Sequence, residues 1–210
     1  MGLTKIGVDL APSKKVQGRQ EEPERTNIDH IYAVGDVLEG APELMPVALK
    51  AGKHLATRIH DRMIGEKSEE DILKNSKMNY DLIPSTVFTP TEYSFVGMTE
   101  GEAIAKFGED DIEVYHRQIT PLQFSIVQDS LKYAYMKVVC QISAEEKVLG
   151  IHYFGPGADE VIGGYGVAMK LGLQKKHLDD SIGIHPSTSE DLFNLDVTKR
   201  SGDNYAKTEC

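Results

Sequence analysis

The sequence predicts an α+β fold, in which a mostly antiparallel sheet is flanked by helices and preceded by a segment with strand, turn and helix in that order. Five strand-like runs crowd together between residues 85 and 154, and the short stretch SAEE joins the last two as a hairpin. One helical pattern interrupts these runs and another follows them. Strands grouped in this way, with helices to one side, are typical of the α+β class.

The first part of the chain, residues 1–64, is expected to hold short strands and one long helix. The run LTKIGVDLAPSKKVQ indicates strand pieces joined by a turn, and residues 31–34 indicate a compact strand that ends in Gly35-Asp36. Apolar spacing over residues 45–65 predicts the helix. Pro46 suits its first turn, because the N–H that proline lacks would have no partner there.

The second part of the chain begins after a charged stretch. Residues 65–79 carry charge with little periodicity, so they are interpreted as a linker. Residues 80–200 then form the α+β domain, and residues 201–210 form a polar tail. Inside the domain, TEGEAIAKFG predicts a short helix that Thr99 caps and Gly108 ends.

The last predicted helix, GADEVIGGYGVAMKLG, contains three glycines in its interior. Each glycine costs a helix about 1 kcal/mol relative to alanine. We therefore expect another element to approach this helix closely, and a subunit interface is one form that the approach could take.

Composition and charge exclude several classes of function. The chain has 33 acidic and 23 basic side chains, and this net charge of −10 argues against nucleic acid and anionic membranes as partners. No apolar run approaches the roughly 20 residues that span a bilayer, and the N-terminus lacks the plan of a secretory signal. We therefore expect a globular cytoplasmic protein.

The cysteines and histidines do not indicate a metal site. Two cysteines are too few for a disulfide scaffold or a cysteine-based zinc site, and the histidines lack metal-ligand spacing. Cys140 lies in an apolar run and is expected to be buried. Cys210 ends a polar tail, so its thiol is either incidental or redox-active.

The stretch SIGIHPSTSEDLF places a histidine before a proline and a glutamate five positions later. Proline disfavours a helical conformation in the preceding residue, so His185 is expected to lie outside the helix that follows. Five helical residues turn through about 500°, so His185 and Glu190 meet only under that condition. The pair would then be a carboxylate that orients an imidazole. The alternative is that Glu190 only caps the helix by bonding back to the backbone of Ser187.

A second candidate site lies where the early strand ends. The Asp36 carboxylate is placed to accept a hydrogen bond from a sugar hydroxyl, and the N-terminus of the following helix offers N–H groups and about half a positive charge. Together they suit a ligand with a polyol and an electron-rich ring carbonyl. The alternative is that Asp36 is simply a turn residue.

Three stretches carry a family resemblance. TNIDHIYAVGDVLEGAPELMPVALKAGKHLA, PSTVFTPTEYSFVGMTEGEA and GIHPSTSEDLF, in that order, resemble the C-terminal part of the pyridine nucleotide-disulfide oxidoreductases. The stretch VTKRSG is similar to the high-molecular-weight thioredoxin reductase branch. The resemblance implies a homodimeric flavoenzyme that passes electrons from NADPH through FAD to a dithiol and then to a disulfide substrate, which in this branch is thioredoxin.

The resemblance also implies roles for particular residues. Gly35 and Asp36 would hold the ribityl chain of FAD, and the backbone around Leu44 and Met45 would face the flavin carbonyl edge at the start of the Pro46 helix. His185 would serve both FAD and the partner subunit's dithiol, often across a cis bond to the proline, with Glu190 orienting it. Residues 1–64 would be a partial FAD and NADPH-binding α/β segment, and residues 80–200 the interface domain.

The rest of such an enzyme is expected outside this chain. The glycine-rich FAD loop and the redox dithiol of the family have no counterpart here, so the chain is expected to be an inactive fragment by itself. Cys210 would match the first member of the catalytic pair in the tail, and we expect a selenocysteine codon to follow it. The alternatives are a glutathione reductase, which the long tail argues against, and a dimerisation or interaction module without catalysis.

Overall fold

The computed structural model describes residues 2–124 and 133–206 of the chain. These residues fall into two units, Met1–Tyr80 and Asp81–Cys210. The first unit therefore extends through residues 65–79, which were expected to be a linker.

The short strands that the sequence predicts early in the first unit do not form in its described residues. A 3-10 helix, Leu3–Ile6, replaces the first strand piece. Near residues 31–34 the pairing is an isolated bridge between Arg25 and Tyr32. A strand needs a partner along its length, and frequent turns break the pairing here into single bridges. An apolar cluster holds the segment together; its buried members are Val8, Val16, Ala33, Leu38 and Ala41.

The long helix α1, Met45–Ile64, forms where the apolar spacing predicts it. Leu44 precedes it as the N-cap residue, and Pro46 lies in its first turn. Gly65 ends the helix with φ of 73°, a left-handed conformation that favours glycine. The sequence prediction of this helix is confirmed.

A second helix, α2, corrects the linker interpretation. It spans Glu69–Ser76, and the Ser68 hydroxyl caps it by accepting a hydrogen bond from the Asp71 N–H. The helix is held to α1 by the fully buried Arg58, whose guanidinium donates to the Ser76 carbonyl. Arg58 also binds two buried carboxylates, those of Glu22 at 2.8 Å and Glu24 at 2.5 Å.

The second unit contains the predicted antiparallel sheet. Its strand order is β1-β2-β5-β4-β3, and every neighbouring pair is antiparallel. A 3-10 turn joins β4 to β5 as a hairpin, in agreement with the sequence. The strands are β1 Ser85–Val87, β2 Tyr93–Gly97, β3 Ile112–Ile119, β4 Ala134–Gln141 and β5 Lys147–Phe154.

Helices cover both faces of this sheet, whereas the sequence indicated one side. The neighbouring strand residues Val138 and Val139 belong to different apolar clusters, one with α4 and one with α3. Adjacent residues of a strand point to opposite faces, so the two helices lie on opposite faces. The helical elements of the unit are α3 Glu100–Phe107, α4 Ala158–Lys170, α5 Lys175–Asp179 and the 3-10 helix Thr188–Phe193.

The glycines of α4 have two different surroundings. A Cβ on Gly166 would lie 2.5 Å from Cγ of Pro84, so the chain before β1 packs directly on the helix there. Cβ atoms on Gly163 and Gly164 would meet no described atom within 4 Å. The expected close approach is therefore found at Gly166.

Candidate functional site

His185 and Glu190 are in contact in the second unit. The His185–Pro186 peptide bond is cis, and His185 lies outside the 3-10 helix Thr188–Phe193. Its ring nitrogen Nδ1 is 3.1 Å from Oε1 and 3.2 Å from Oε2 of Glu190. The sequence required His185 to lie outside the following helix for this contact to form, and it does.

Glu190 makes both of the contacts that the sequence left as alternatives. Besides contacting His185, its Oε1 accepts a hydrogen bond from the Ser187 backbone N–H at 3.4 Å. One carboxylate therefore caps the helix start and orients the imidazole. The helix itself is of the 3-10 type over six residues.

The second ring nitrogen of His185 is the one available to another molecule. A carboxylate only accepts hydrogen bonds, so in the neutral ring Nδ1 carries the proton and donates it towards Glu190. The His185 side chain is 75% exposed, whereas that of Glu190 is 23% exposed. Nε2 is then an unprotonated acceptor on an exposed ring.

Gly183 is a residue that the sequence reasoning missed. A Cβ at this position would lie 2.5 Å from Cβ and 2.8 Å from Cα of Glu190. A side chain there would displace the backbone that carries the carboxylate. The isolated glycine between Ile182 and Ile184 was the available signal, because a glycine in an extended run often marks close backbone approach.

The Gly35-Asp36 turn lies against α1 in the first unit. Gly35 is buried with φ of 72°, and a Cβ there would lie 3.2 Å from that of Ala48. Glycine therefore allows the turn Gly35–Val37 to pack on the first turns of α1. Asp36 itself is exposed.

The N-terminus of α1 is open. Among the described residues no side chain caps it, and its first turn contains no acidic residue. Met45 is 69% exposed. The first N–H groups and the positive end of the helix dipole are thus available to an electron-rich group.

Comparisons with known proteins identify the family of the chain. A model of the dimerisation domain of pyridine nucleotide-disulphide oxidoreductases matches residues 83–195, more than half of the chain. The chain belongs to the pyridine nucleotide-disulphide oxidoreductase family. The antiparallel sheet with its flanking helices is thus the fold of that domain.

Two relatives of this oxidoreductase chain are similar over most of its length. Thioredoxin reductase SEP1 of Emiliania huxleyi is 40% identical over all of the chain, which spans 41% of that protein. Thioredoxin reductase 2, mitochondrial, of Drosophila melanogaster is 43% identical over 89% of the chain, which spans 34% of that protein. The chain thus spans well under half the length of these relatives.

The first unit has groups that fit the flavin expected of an oxidoreductase of this family. A polyol needs an acceptor such as the exposed Asp36 carboxylate, and a ring carbonyl needs donors such as the open start of α1. Gly35, the residue before Asp36, packs against Ala48 in the first turns of α1.

The two cysteines of this oxidoreductase chain differ in how far the structure describes them. Cys140 is buried, as expected, and burial raises the pKa of its thiol to about 12, so it is not a reactive thiolate. Cys210 lies outside the described residues. Over residues 2–124 and 133–206, no cluster of three His, Cys, Asp or Glu side chains is arranged to hold a metal. The helices of that part are also too short or too polar to cross a bilayer.

Proposed function

We propose that this chain supplies the dimer-forming part and the acid–base pair of an FAD-dependent, NADPH-using disulfide oxidoreductase that reduces thioredoxin. The observation that carries the proposal is the contact between the exposed His185 ring and the Glu190 carboxylate. The names of the two relatives support thioredoxin as the substrate.

The proposed role of His185 is proton transfer at sulfur. A thiolate, not a thiol, attacks a disulfide, so a base must remove a proton from the attacking group and an acid must protonate the leaving sulfur. Nε2 of His185 accepts the first proton and later returns it. Glu190 stabilises the charged ring in between, because its carboxylate lies within 3.2 Å of Nδ1.

The first unit is proposed to bind part of the flavin, which when bound carries electrons between NADPH and the dithiol. Asp36 accepts a hydrogen bond from the ribityl chain. The backbone at Leu44 and Met45, together with the dipole of the Pro46 helix, stabilises negative charge at the carbonyl edge of the ring. A backbone contact of this kind does not depend on the side chain at position 45.

A homodimer is the proposed assembly, and the exposed face of α4 supports it. Val167 on this helix and Leu171, its C-cap residue, are exposed apolar residues, and Ile182 and Ile184 are exposed shortly before His185. Exposed apolar residues that form one patch mark an interaction surface. The pair His185–Glu190 would then act on the partner subunit's dithiol.

A hybrid enzyme tests the proposed function. This chain, with a selenocysteine codon placed after Cys210 to complete the proposed pair, replaces the corresponding 41% of the Emiliania huxleyi thioredoxin reductase, and NADPH-dependent reduction of thioredoxin is measured. We expect activity, and we expect His185→Gln to lower kcat/KM by about 10² to 10⁴. His60→Gln is the matched control, because His60 is also exposed, at 70%, and lies 3.7 Å from a carboxylate.

The proposal fails if the hybrid binds flavin, accepts electrons from NADPH and forms a dimer, yet His185→Gln is as active as the parent. A hybrid that reduces glutathione disulfide instead of thioredoxin would overturn the substrate. Cys210 is proposed as a redox group of the tail, and its replacement by serine should abolish thioredoxin reduction while leaving flavin reduction unchanged.

Two finer points stay predictions. The selenocysteine codon after Cys210 is checked by the nucleotide sequence. The cytoplasmic location is checked by cell fractionation that separates the cytoplasm from mitochondria, because one relative is named mitochondrial.

A further inference from the structure

The chain beyond the His185 site runs along the outer edge of β3. The His116 N–H donates to the Val197 carbonyl at 3.0 Å, and the Lys199 N–H donates to the Val114 carbonyl at 2.8 Å. The chain then turns back, with Gly202 at φ of 73°. Residues 197–206, called the strap below, therefore cover the edge of the sheet.

The base of the strap, residues 197–201, is held by charged side chains as well as by backbone bonds. The Lys199 ammonium binds the Glu100 carboxylate at 2.6 Å. The Arg200 guanidinium donates to the carbonyls of Glu109 at 3.1 Å and Ile112 at 2.9 Å. These contacts fix the base to α3 and to the start of β3.

The outer half of the strap, residues 202–206, is held through Tyr205. Its ring stacks on the His116 ring with the centroids 4.7 Å apart, and the Tyr135 ring meets it edge-on at 6.1 Å. Its carbonyl accepts a hydrogen bond from the Gln118 N–H at 2.9 Å. Tyr205 as a residue is nevertheless 40% exposed, so the sheet covers it only in part.

We propose that the strap is a two-state element, whose base stays on the sheet while its outer half docks and releases with Tyr205 as the latch. Gly202, between the two halves, absorbs the change in backbone direction. The latch does not depend on the proposed function.

The charge around His116 makes the latch sensitive to pH. Burial lowers the pKa of His116, and the ammonium groups of Lys199 and Lys137 act in the same direction, while Glu100 opposes them. Tyr135 contributes its hydroxyl, 2.8 Å from Nδ1. Burial is the largest of these effects on the pKa of His116, and the Tyr205 ring contributes to that burial by stacking on the imidazole.

Docking and protonation are therefore coupled. Release of Tyr205 uncovers the His116 ring, so the pKa of His116 rises when the strap leaves. By reciprocity, protonation of His116 favours release. Acidic pH is expected to shift the strap towards its released state.

Amide hydrogen exchange in the 210-residue chain tests the latch. The Gln118 amide reports on the outer half and the His116 amide on the base, because they bond to Tyr205 and Val197 respectively. Tyr205→Ala should speed exchange at Gln118 about tenfold, as the loss of one aromatic contact would. Exchange at His116 should stay within about twofold of the parent. Tyr205→Phe keeps the stacked ring and is the matched control.

Ring resonances of His116 give a second, independent measurement. Tyr205→Ala should raise the pKa of His116 towards its ordinary value, and Tyr205→Phe should not. Unchanged exchange at Gln118 in Tyr205→Ala would show that the ring is not the latch. Equal acceleration at both amides would show that the strap moves as one piece, which also overturns the proposal. Neither measurement involves flavin or turnover, so failure here is distinct from failure of the proposed function.

Discussion

Two histidines of the second unit, His152 and His185, show how the same side chain serves structure in one place and chemistry in another. His152 lies in β5 and is 4% exposed. Its Nε2 donates to the Met98 carbonyl at 3.0 Å, and its Nδ1, 2.8 Å away, then accepts from the Tyr93 hydroxyl. Burial lowers its pKa, so the ring is kept neutral.

His185 differs in the number of ring nitrogens that are occupied. Nδ1 contacts Glu190, and the exposed ring leaves Nε2 for another molecule. A histidine with both nitrogens bonded inside the fold has no site at which to exchange a proton. One free nitrogen on an oriented, exposed ring is therefore what separates the proposed acid–base histidine from a structural one.

The largest expected effect is on stability at His152. His152→Ala removes the ring and leaves the Tyr93 hydroxyl and the Met98 carbonyl without their partner, so the free energy of unfolding should fall by about 3 kcal/mol. His185→Gln, at an exposed position, should change it by less than about 0.5 kcal/mol. Urea unfolding followed by circular dichroism measures both. Similar losses in the two variants would remove the distinction between them.

Gly183→Ala should have the next largest effect on the free energy of unfolding. Its new Cβ would overlap the Glu190 backbone, and the resulting displacement should cost about 1 to 3 kcal/mol. Gly101→Ala is the control, because a Cβ there meets no described atom within 4 Å and its position in α3 favours alanine by up to about 1 kcal/mol. If Gly183→Ala is as stable as Gly101→Ala, the close approach at Gly183 is not needed.

The smallest effect is on the pH dependence of stability. His152 and His116 have lowered pKa values, so the unfolded chain binds more protons than the folded chain once the pH falls to the ordinary histidine range of about 6.5. Their contribution is complete above about pH 7 and is lost as the pH falls below about 6.5. Each can give a slope of at most about 1.4 kcal/mol per pH unit.

Unfolding at pH 7.5 and at pH 5.5 checks this sign. His152→Gln should flatten the slope. A slope that rises towards acid would mean that the buried rings are held in their charged form.

Local signals in the sequence were sufficient for several elements. The helix α3 forms with the capping box that Thr99 and Glu102 predict, because a cap needs only residues that are neighbours along the chain. The condition for the pairing of His185 with Glu190 was also visible locally, since Pro186 keeps His185 out of the following helix, but the sequence left capping by Glu190 as the alternative.

Other features depend on partners that a local pattern does not identify. The apolar run at residues 31–34 resembles a strand, yet no continuous partner lies beside it in the described part of the chain. The sequence did not predict the helix α2 because most of its residues are polar or charged, and Ile72 is the one large apolar residue that it buries. Gly183 could not be explained from sequence, because its need arises only when Glu190 folds back onto it.

The tautomer of His185 tests the central claim most directly. Nitrogen-15 NMR of the neutral ring in the 210-residue chain distinguishes a proton on Nδ1 from one on Nε2. The account predicts that Nδ1 carries the proton in the parent chain and that Glu190→Ala weakens this preference. A proton on Nε2 in the parent, unchanged by the loss of Glu190, would contradict the orientation on which the proposed proton transfer depends.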